Sequence, residues 1–185
     1  MASTTDPFIS VQDLIDHLGR GGTADQGLVQ AADAACDVCR TVAEQTFNRI
    51  VGGTVILDGT GTDALLLPER PATAAGTVTI DGGTITDYVL RNDGVLIRKT
   101  SGSSHRTVTW PDGRQNVTVV YDHGYVDADM PRDIRMVALS IASRIAVQGP
   151  AKSEAIGNVN VTYAVASTEL TTGELMILRK YRRGG

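Results

Sequence analysis

Aromatic side chains are scarce in this chain: two Phe, five Tyr and one Trp among 185 residues. Without them there is little material for the anchor clusters that dominate large obligate interfaces. Cysteine is scarcer still, at two, too few for a disulfide scaffold or for a four-ligand structural zinc site. No apolar run approaches the roughly 20 residues that span a bilayer. The opening MASTTDPF has neither a cationic start nor an apolar stretch, so the reading is a protein made in the cytoplasm with no membrane partner. A surplus of positive charge is missing as well. The net charge is −4, which argues against a free-standing nucleic-acid binder, because phosphate contacts need clustered Lys and Arg.

What is present fits a globular protein: 42% hydrophobic residues, 21% charged, and 20 glycines that point to a turn-rich, small-residue β part. A chain of this length buries roughly two-thirds of its unfolded surface. Its positive charge is concentrated at the end, where Arg179, Lys180, Arg182 and Arg183 fall within the last seven residues. Such cations complement the C-terminal end of a helix dipole. The other reading is a plug for an acidic socket on a partner or a patch facing DNA phosphate.

Helix punctuation is clear at three places. Ser10 and Asp13 have capping-box spacing, with Ile9 and Leu14 placed as a hydrophobic staple and Gly19 as the stop. Thr23 and Gln26 repeat the spacing before a helix read as far as about Ile50, with Leu28, Ala32, Ala35, Cys39, Val42 and Thr46 on its apolar face. Thr171 and Glu174 repeat it once more before Leu175, Ile177, Leu178 and Tyr181. Between Val51 and Tyr121 the texture is short apolar runs separated by Asp58-Gly59, Asp81-Gly82-Gly83, Asn92-Asp93-Gly94 and Pro111-Asp112-Gly113. These are turn signals, and strands are expected near 54–57, 64–67, 77–80, 85–90, 94–98, 107–110 and 116–121. The last of these, alternating Val117, Val119 and Tyr121, leads through an acidic loop to Pro131, where the period becomes helical at Ile134, Val137, Ala138, Ile141, Ala142 and Ile145. Gly149 to Gly157 reads as a loop, and Asn158 to Val165 as one more strand. The expected fold class is α+β: a helical scaffold with an inserted small antiparallel β domain. Its segments are 1–51 (N-terminal helices), 52–126 (β-rich insertion), 127–150 (core helix) and 151–185 (loop, strand and final helix), within one folded unit.

Chemistry-bearing residues are few. Cys36 and Cys39 spell C-x-x-C, but they sit mid-helix rather than at a helix N-terminus after a strand, so they read as small buried hydrophobes. Asp58 to Glu69 mimics a calcium loop and fails at its sixth place, which needs Gly and holds Asp63. Asp122, His123 and Asp129 form the one concentration of titratable groups that would suit acid–base work. Adjacent residues of an extended chain point to opposite faces, however, and no nucleophile motif such as G-x-S-x-G accompanies them. No catalytic, metal or cofactor-binding residue is expected, and no cofactor.

The strand NVTVVYDHGY, the helix start MPRDIR, the segment LDGTGTDALLLPERP at Leu57 to Pro71 and the closing TTGELMILRKYRR follow the paired N-terminal helices in an order that resembles the head-tail adaptor (connector) proteins of long-tailed bacteriophages. The resemblance covers nearly the whole chain. It implies a non-enzymatic virion protein forming a homo-oligomeric ring, typically dodecameric, beneath the portal protein. That ring would extend the channel through which genomic DNA passes without sequence-specific contact, and would carry the head-tail stopper or tail completion protein below. It also implies that terminal segments dock on the portal, which makes Arg179, Lys180, Tyr181, Arg182 and Arg183 the candidate portal-binding residues. Two alternatives stay open: another connector component such as the stopper, or a small hydrolase or sugar-binding module built on Asp122, His123 and Asp129.

Overall fold

A computed structural model describes residues 6–182 apart from 20, 22, 92, 103–105, 148–152, 157–158 and 163–168. Along the chain run α1 (Val11–His17), α2 (Gln26–Ala43), β1 (Ile50–Gly59), β2 (Ala64–Leu66), β3 (Ala72–Ile80), β4 (Gly83–Ile85), β5 (Tyr88–Leu90), β6 (Val95–Arg98) and β7 (Gly113–His123). A 3₁₀ turn (Asp127–Asp129), α3 (Arg132–Val147), β8 (Ser153–Ile156), β9 (Val159–Thr162) and α4 (Thr172–Lys180) complete it. The fold class is α+β. Two compact units result, a β unit over Gln45–Asp129 and a helical unit formed by Thr5–Glu44 with Met130–Gly185. None of the described helices is long and apolar enough to cross a membrane.

In the helical unit, α1 begins as its sequence predicts. Ser10 Oγ accepts the Asp13 N–H at 3.0 Å while the Ser10 N–H donates to Asp13 Oδ2 at 3.0 Å, so two donors left orphaned at a helix start are satisfied reciprocally. The start of α2 differs from the expected Thr23–Gln26 box. Asp25 is the cap, its Oδ1 accepting the Leu28 N–H at 2.8 Å. Entry at Asp25 sets Leu28, Ala31, Ala32, Ala35, Cys36, Cys39 and Ala43 on one buried face. The expected continuation to Ile50 is also overturned, because Glu44 turns left-handed (φ 54, ψ 38) and closes the helix on the Arg40 carbonyl. Pro131 stands one place before the first residue of α3, its carbonyl accepting the Arg135 N–H at 3.1 Å. Ile134, Val137, Ala138, Ile141 and Ala142 are buried as the helical period demands. Thr171 and Glu174 form the second reciprocal box, at the start of α4. The loop read over Gly149–Gly157 is corrected in part, since 153–156 is strand and pairs antiparallel with β9; 149–152 and 157 lie outside the described residues.

The β unit starts where α2 was expected to continue. Gln45 donates to the Pro68 carbonyl and accepts from the Arg70 N–H, both at 2.8 Å, and the Thr46 N–H reaches Glu69 Oε2 at 2.9 Å. A helical Thr46 could not make that bond. The strands form a four-stranded antiparallel sheet in the order β1-β7-β3-β4 and a three-stranded one in the order β2-β6-β5. Leu65, Leu67, Val78, Leu96, Trp110, Val117, Val119 and Tyr121 fill the core between their faces. The run read as one strand over 85–90 divides at Thr86–Asp87 into β4 and β5, which belong to different sheets. The strand expected at 107–110 is not formed. A single bridge, Lys99 to Thr107, precedes Trp110, whose Nε1–H donates to the Asp63 and Leu96 carbonyls at 3.1 and 3.3 Å. Anchoring the indole, rather than pairing the backbone, dictates the path of this segment.

Candidate functional site

The C-terminal cations belong to the last turn of α4 and the residues that follow. Burial of Glu174 and Leu178 turns Thr172, Met176 and Arg179 outward. Three of the expected docking groups are engaged within the helical unit. Lys180 Nζ lies 3.2 Å from Asp133 Oδ2 and 5.0 Å from the Tyr181 ring centroid, and the Tyr181 hydroxyl donates to the same carboxylate at 2.8 Å. The Asp133 carboxyl feels a burial that would raise its pKa, and the Tyr181 and Lys180 bonds overcome it and hold it below the usual value. Arg182 pairs with Glu44. Arg179 is exposed, with no side-chain partner among the described residues. Arg183 lies outside the described residues. Sequence reasoning named the cations but missed Asp133 and Glu44, which stand 47 and 138 residues from their partners and carry no local signal of pairing.

Asp122, His123 and Asp129 do not converge. Strand alternation sends Asp122 to one side of β7, where it accepts from Arg49 Nη2 at 3.2 Å and from the Gly52 N–H at 2.8 Å. His123 points the other way. It is 7% exposed, its ring 5.0 Å from that of Tyr121, and its Nδ1 is buried without a hydrogen-bond partner among the described residues. Burial pushes the His123 pKa down, against the upward pull of Glu69 and Asp122. Asp129 stands exposed in the 3₁₀ turn. The geometry offers a buried, neutral ring that supports the sheet end, not an acid–base pair.

The HGY sequence has a structural origin instead. Gly124 adopts φ +82, and a Cβ there would stand 2.1 Å from the Asn48 carbonyl oxygen. That close approach lets the Tyr125 N–H reach the Phe47 carbonyl at 2.6 Å. Cys36 and Cys39 are both fully buried, and burial raises each thiol pKa, that of Cys39 to about 12. Two carboxylates of the calcium-like segment are engaged separately: Asp58 Oδ1 accepts the Gln115 N–H at 2.7 Å and Glu69 accepts from the Thr46 N–H. Among the described residues no group of three or more His, Cys, Asp or Glu side chains is placed to hold a metal ion.

The fold has counterparts among solved structures. One chain of the neck of an empty gene transfer agent (GTA) particle, computed with C6 symmetry, aligns with 100% of this chain and 96% of its own at 14% identity and a TM-score of 0.60. The fold is that of a GTA neck chain. A chain from the virion of the native GTA particle gives 16% identity, coverage of 96% and 92%, and a TM-score of 0.59. A third, from the native GTA neck computed with C12 symmetry, gives 15% identity, coverage of 95% and 91%, and a TM-score of 0.54. No protein-family model and no curated protein sequence matches the chain. The two GTA neck chains and the virion chain match the helical and β units together, so the likeness is not confined to a common sub-motif.

Proposed function

We propose that this protein is a structural component of the neck of a phage-like particle. In it, a ring of copies sits under the portal, extends the DNA channel and joins head to tail as an adaptor. One observation carries the reading: a full-length fold shared with chains of particle necks, matched end to end rather than over one motif. The C6 and C12 symmetries of those necks support a ring of copies around an axis. A closed ring needs heterologous contacts, and modest ones suffice when a portal templates them. The sparse aromatic content agrees with that. On this reading the protein is made in the host cytoplasm, ends in the virion, contacts portal above and stopper or tail completion protein below, and performs no catalysis.

The C-terminal residues remain the proposed portal contact. The pairs Lys180–Asp133 and Arg182–Glu44 are open to solvent, with side-chain exposures of 67% and 33%, and 52% and 50%. Exposed ion pairs contribute little to stability, so a denser acidic socket can displace them. The test is to mix the purified chain with portal and image the product by electron microscopy. A ring of density stacked coaxially on the portal is the expected outcome, with attachment weakened by salt and by charge reversal at Arg182 and Arg183. A chain that leaves the portal bare under all these conditions would overturn the assignment.

A further inference from the structure

An antiparallel sheet that covers a core on one side ordinarily alternates, apolar inward and polar outward. The three-stranded sheet of the β unit does not: β2 reads ALL, β5 reads YVL and β6 begins VLI. Leu65, Leu96 and Leu90 stand in register on its inner face, against the core it shares with the larger sheet. Alternation then puts Ala64, Ile97 and Val89 in one row on the outer face, with Leu66 opposite Val95 in the next. Leu66 and Val89 are 36% and 38% exposed. Charges stand at the ends of this patch, Asp87 beside Lys99 at one and the Arg91–Asp93 ion pair at the other.

The four-stranded sheet turns its outer face the opposite way, because the inner faces of both sheets meet in one core. Thr84, Thr79, Thr118 and Ile56 stand in register across its four strands, and Thr54 lies opposite Val120 in the next row. Ile56 is 58% exposed. All six side chains are β-branched and uncharged, so they make a flat face suited to lie against another sheet at about 10 Å. Asp58 and the Asp122–Arg49 pair mark its two ends.

We infer that the outer face of the three-stranded sheet in one copy packs on the outer face of the four-stranded sheet in the next copy around the ring. A ring closes through two different patches on opposite sides of each subunit, and the β unit carries such a pair. Neither patch holds a charge at its centre, so neither is built for DNA phosphate or for a charged socket, while an apolar patch rimmed by polar groups marks a contact between proteins. The smaller patch covers roughly 200 Å² in plan, from strands about 4.8 Å apart. A stable free complex buries about 800 Å² per partner. This contact therefore suits copies that a portal already sets side by side, and not a dimer in solution. It rests on the neck-ring reading and adds which surfaces close the ring.

The test uses Ile56→Cys and Val89→Cys chains, both positions being exposed and the two native thiols buried. The chains are mixed, assembled on portal and treated with a bis-maleimide that spans about 10 Å, the spacing of packed sheets. A link between positions 56 and 89 of different copies should be the main product. The doubly substituted chain should give a ladder of linked oligomers ending in a closed ring. Adding Leu66→Asp on one face, or Thr54→Asp on the other, should cut that ladder severalfold in chains whose circular dichroism is unchanged. Rings that form on the portal without the 56–89 link, links mainly between like positions, or folded charge variants that link as well as the parent would each overturn the sheet contact while leaving the neck reading intact. A chain that forms no ring on portal at all defeats both, and electron microscopy of the same samples separates the two failures.

Discussion

Glu174 holds Arg144 with both carboxylate oxygens, Nη1 at 2.7 Å from Oε1 and Nη2 at 3.0 Å from Oε2. The same carboxylate accepts the Thr171 N–H at 2.9 Å and the Ser140 hydroxyl at 2.9 Å. One side chain therefore caps α4 and fastens it to α3, and as it is only 9% exposed it depends on these partners to stay charged.

Replacing Glu174 with Ala should destabilise the helical unit by about 3 kcal/mol, because it leaves the half-buried Arg144 unpaired and uncaps α4. Burial alone would raise the Glu174 carboxyl, but Arg144, the Thr171 amide and the Ser140 hydroxyl overcome it and bring the pKa to about 2. A carboxyl lower in the folded than in the unfolded chain adds stability above its unfolded value, near 4.5, that is lost as pH falls toward about 2. Urea unfolding followed by circular dichroism from pH 6 downward should show this decline, and Glu174→Gln should flatten it.

His123 should make the β unit acid-sensitive at milder pH. Its pKa is lowered by burial from the ordinary 6.5, so the unfolded chain takes up a proton that the folded chain refuses. Stability is full above about 6.5 and is lost as pH falls below that value toward the lowered one. His123→Phe keeps a ring beside Tyr121 and removes the titration. The midpoint of thermal unfolding of the variant should change less between pH 7 and pH 5 than that of the parent.

Gly124→Ala should cost more than about 2 kcal/mol. The new Cβ would meet the Asn48 carbonyl oxygen at 2.1 Å, a backbone atom that cannot swing aside, in a residue whose φ of +82 already disfavours any side chain. The loss should register as a lowered denaturation midpoint and faster amide exchange at Tyr125, whose N–H bonds to Phe47 across this contact.

Cys36 and Cys39 should stay unreactive toward a thiol reagent in the native protein and react fully in denaturant, since burial lifts both thiols away from the thiolate form. Replacing both with Ala should lower stability by about 1–3 kcal/mol, as small core truncations do, and leave assembly intact.

The separate character of each element was legible because it depends on local rules. The boxes Ser10–Asp13 and Thr171–Glu174, the buried stripe Ile134 to Ala142 and the alternation Val117, Val119, Tyr121 all stand where spacing and period put them. The absence of acid–base geometry at Asp122 and His123 could be read from strand alternation alone. What local pattern did not carry was any choice settled by distant partners. α2 stops at Ala43 because Gln45 and Thr46 bond to 68–70, more than 20 residues on. Residues 107–110 leave the strand pattern to seat Trp110 under the Asp63 and Leu96 carbonyls.

The same division holds for function. A cluster of cations at the C-terminus is visible in the sequence by itself, as is the order of segments that resembles a head-tail adaptor. Only the tertiary structure decided that Lys180 and Arg182 are paired with Asp133 and Glu44 while Arg179 and Met176 face outward. Charge and helical period are properties of the chain's order. Which charges are neutralised, and which apolar groups stay open, depends on long-range packing, where partners meet across separations that no local spacing encodes.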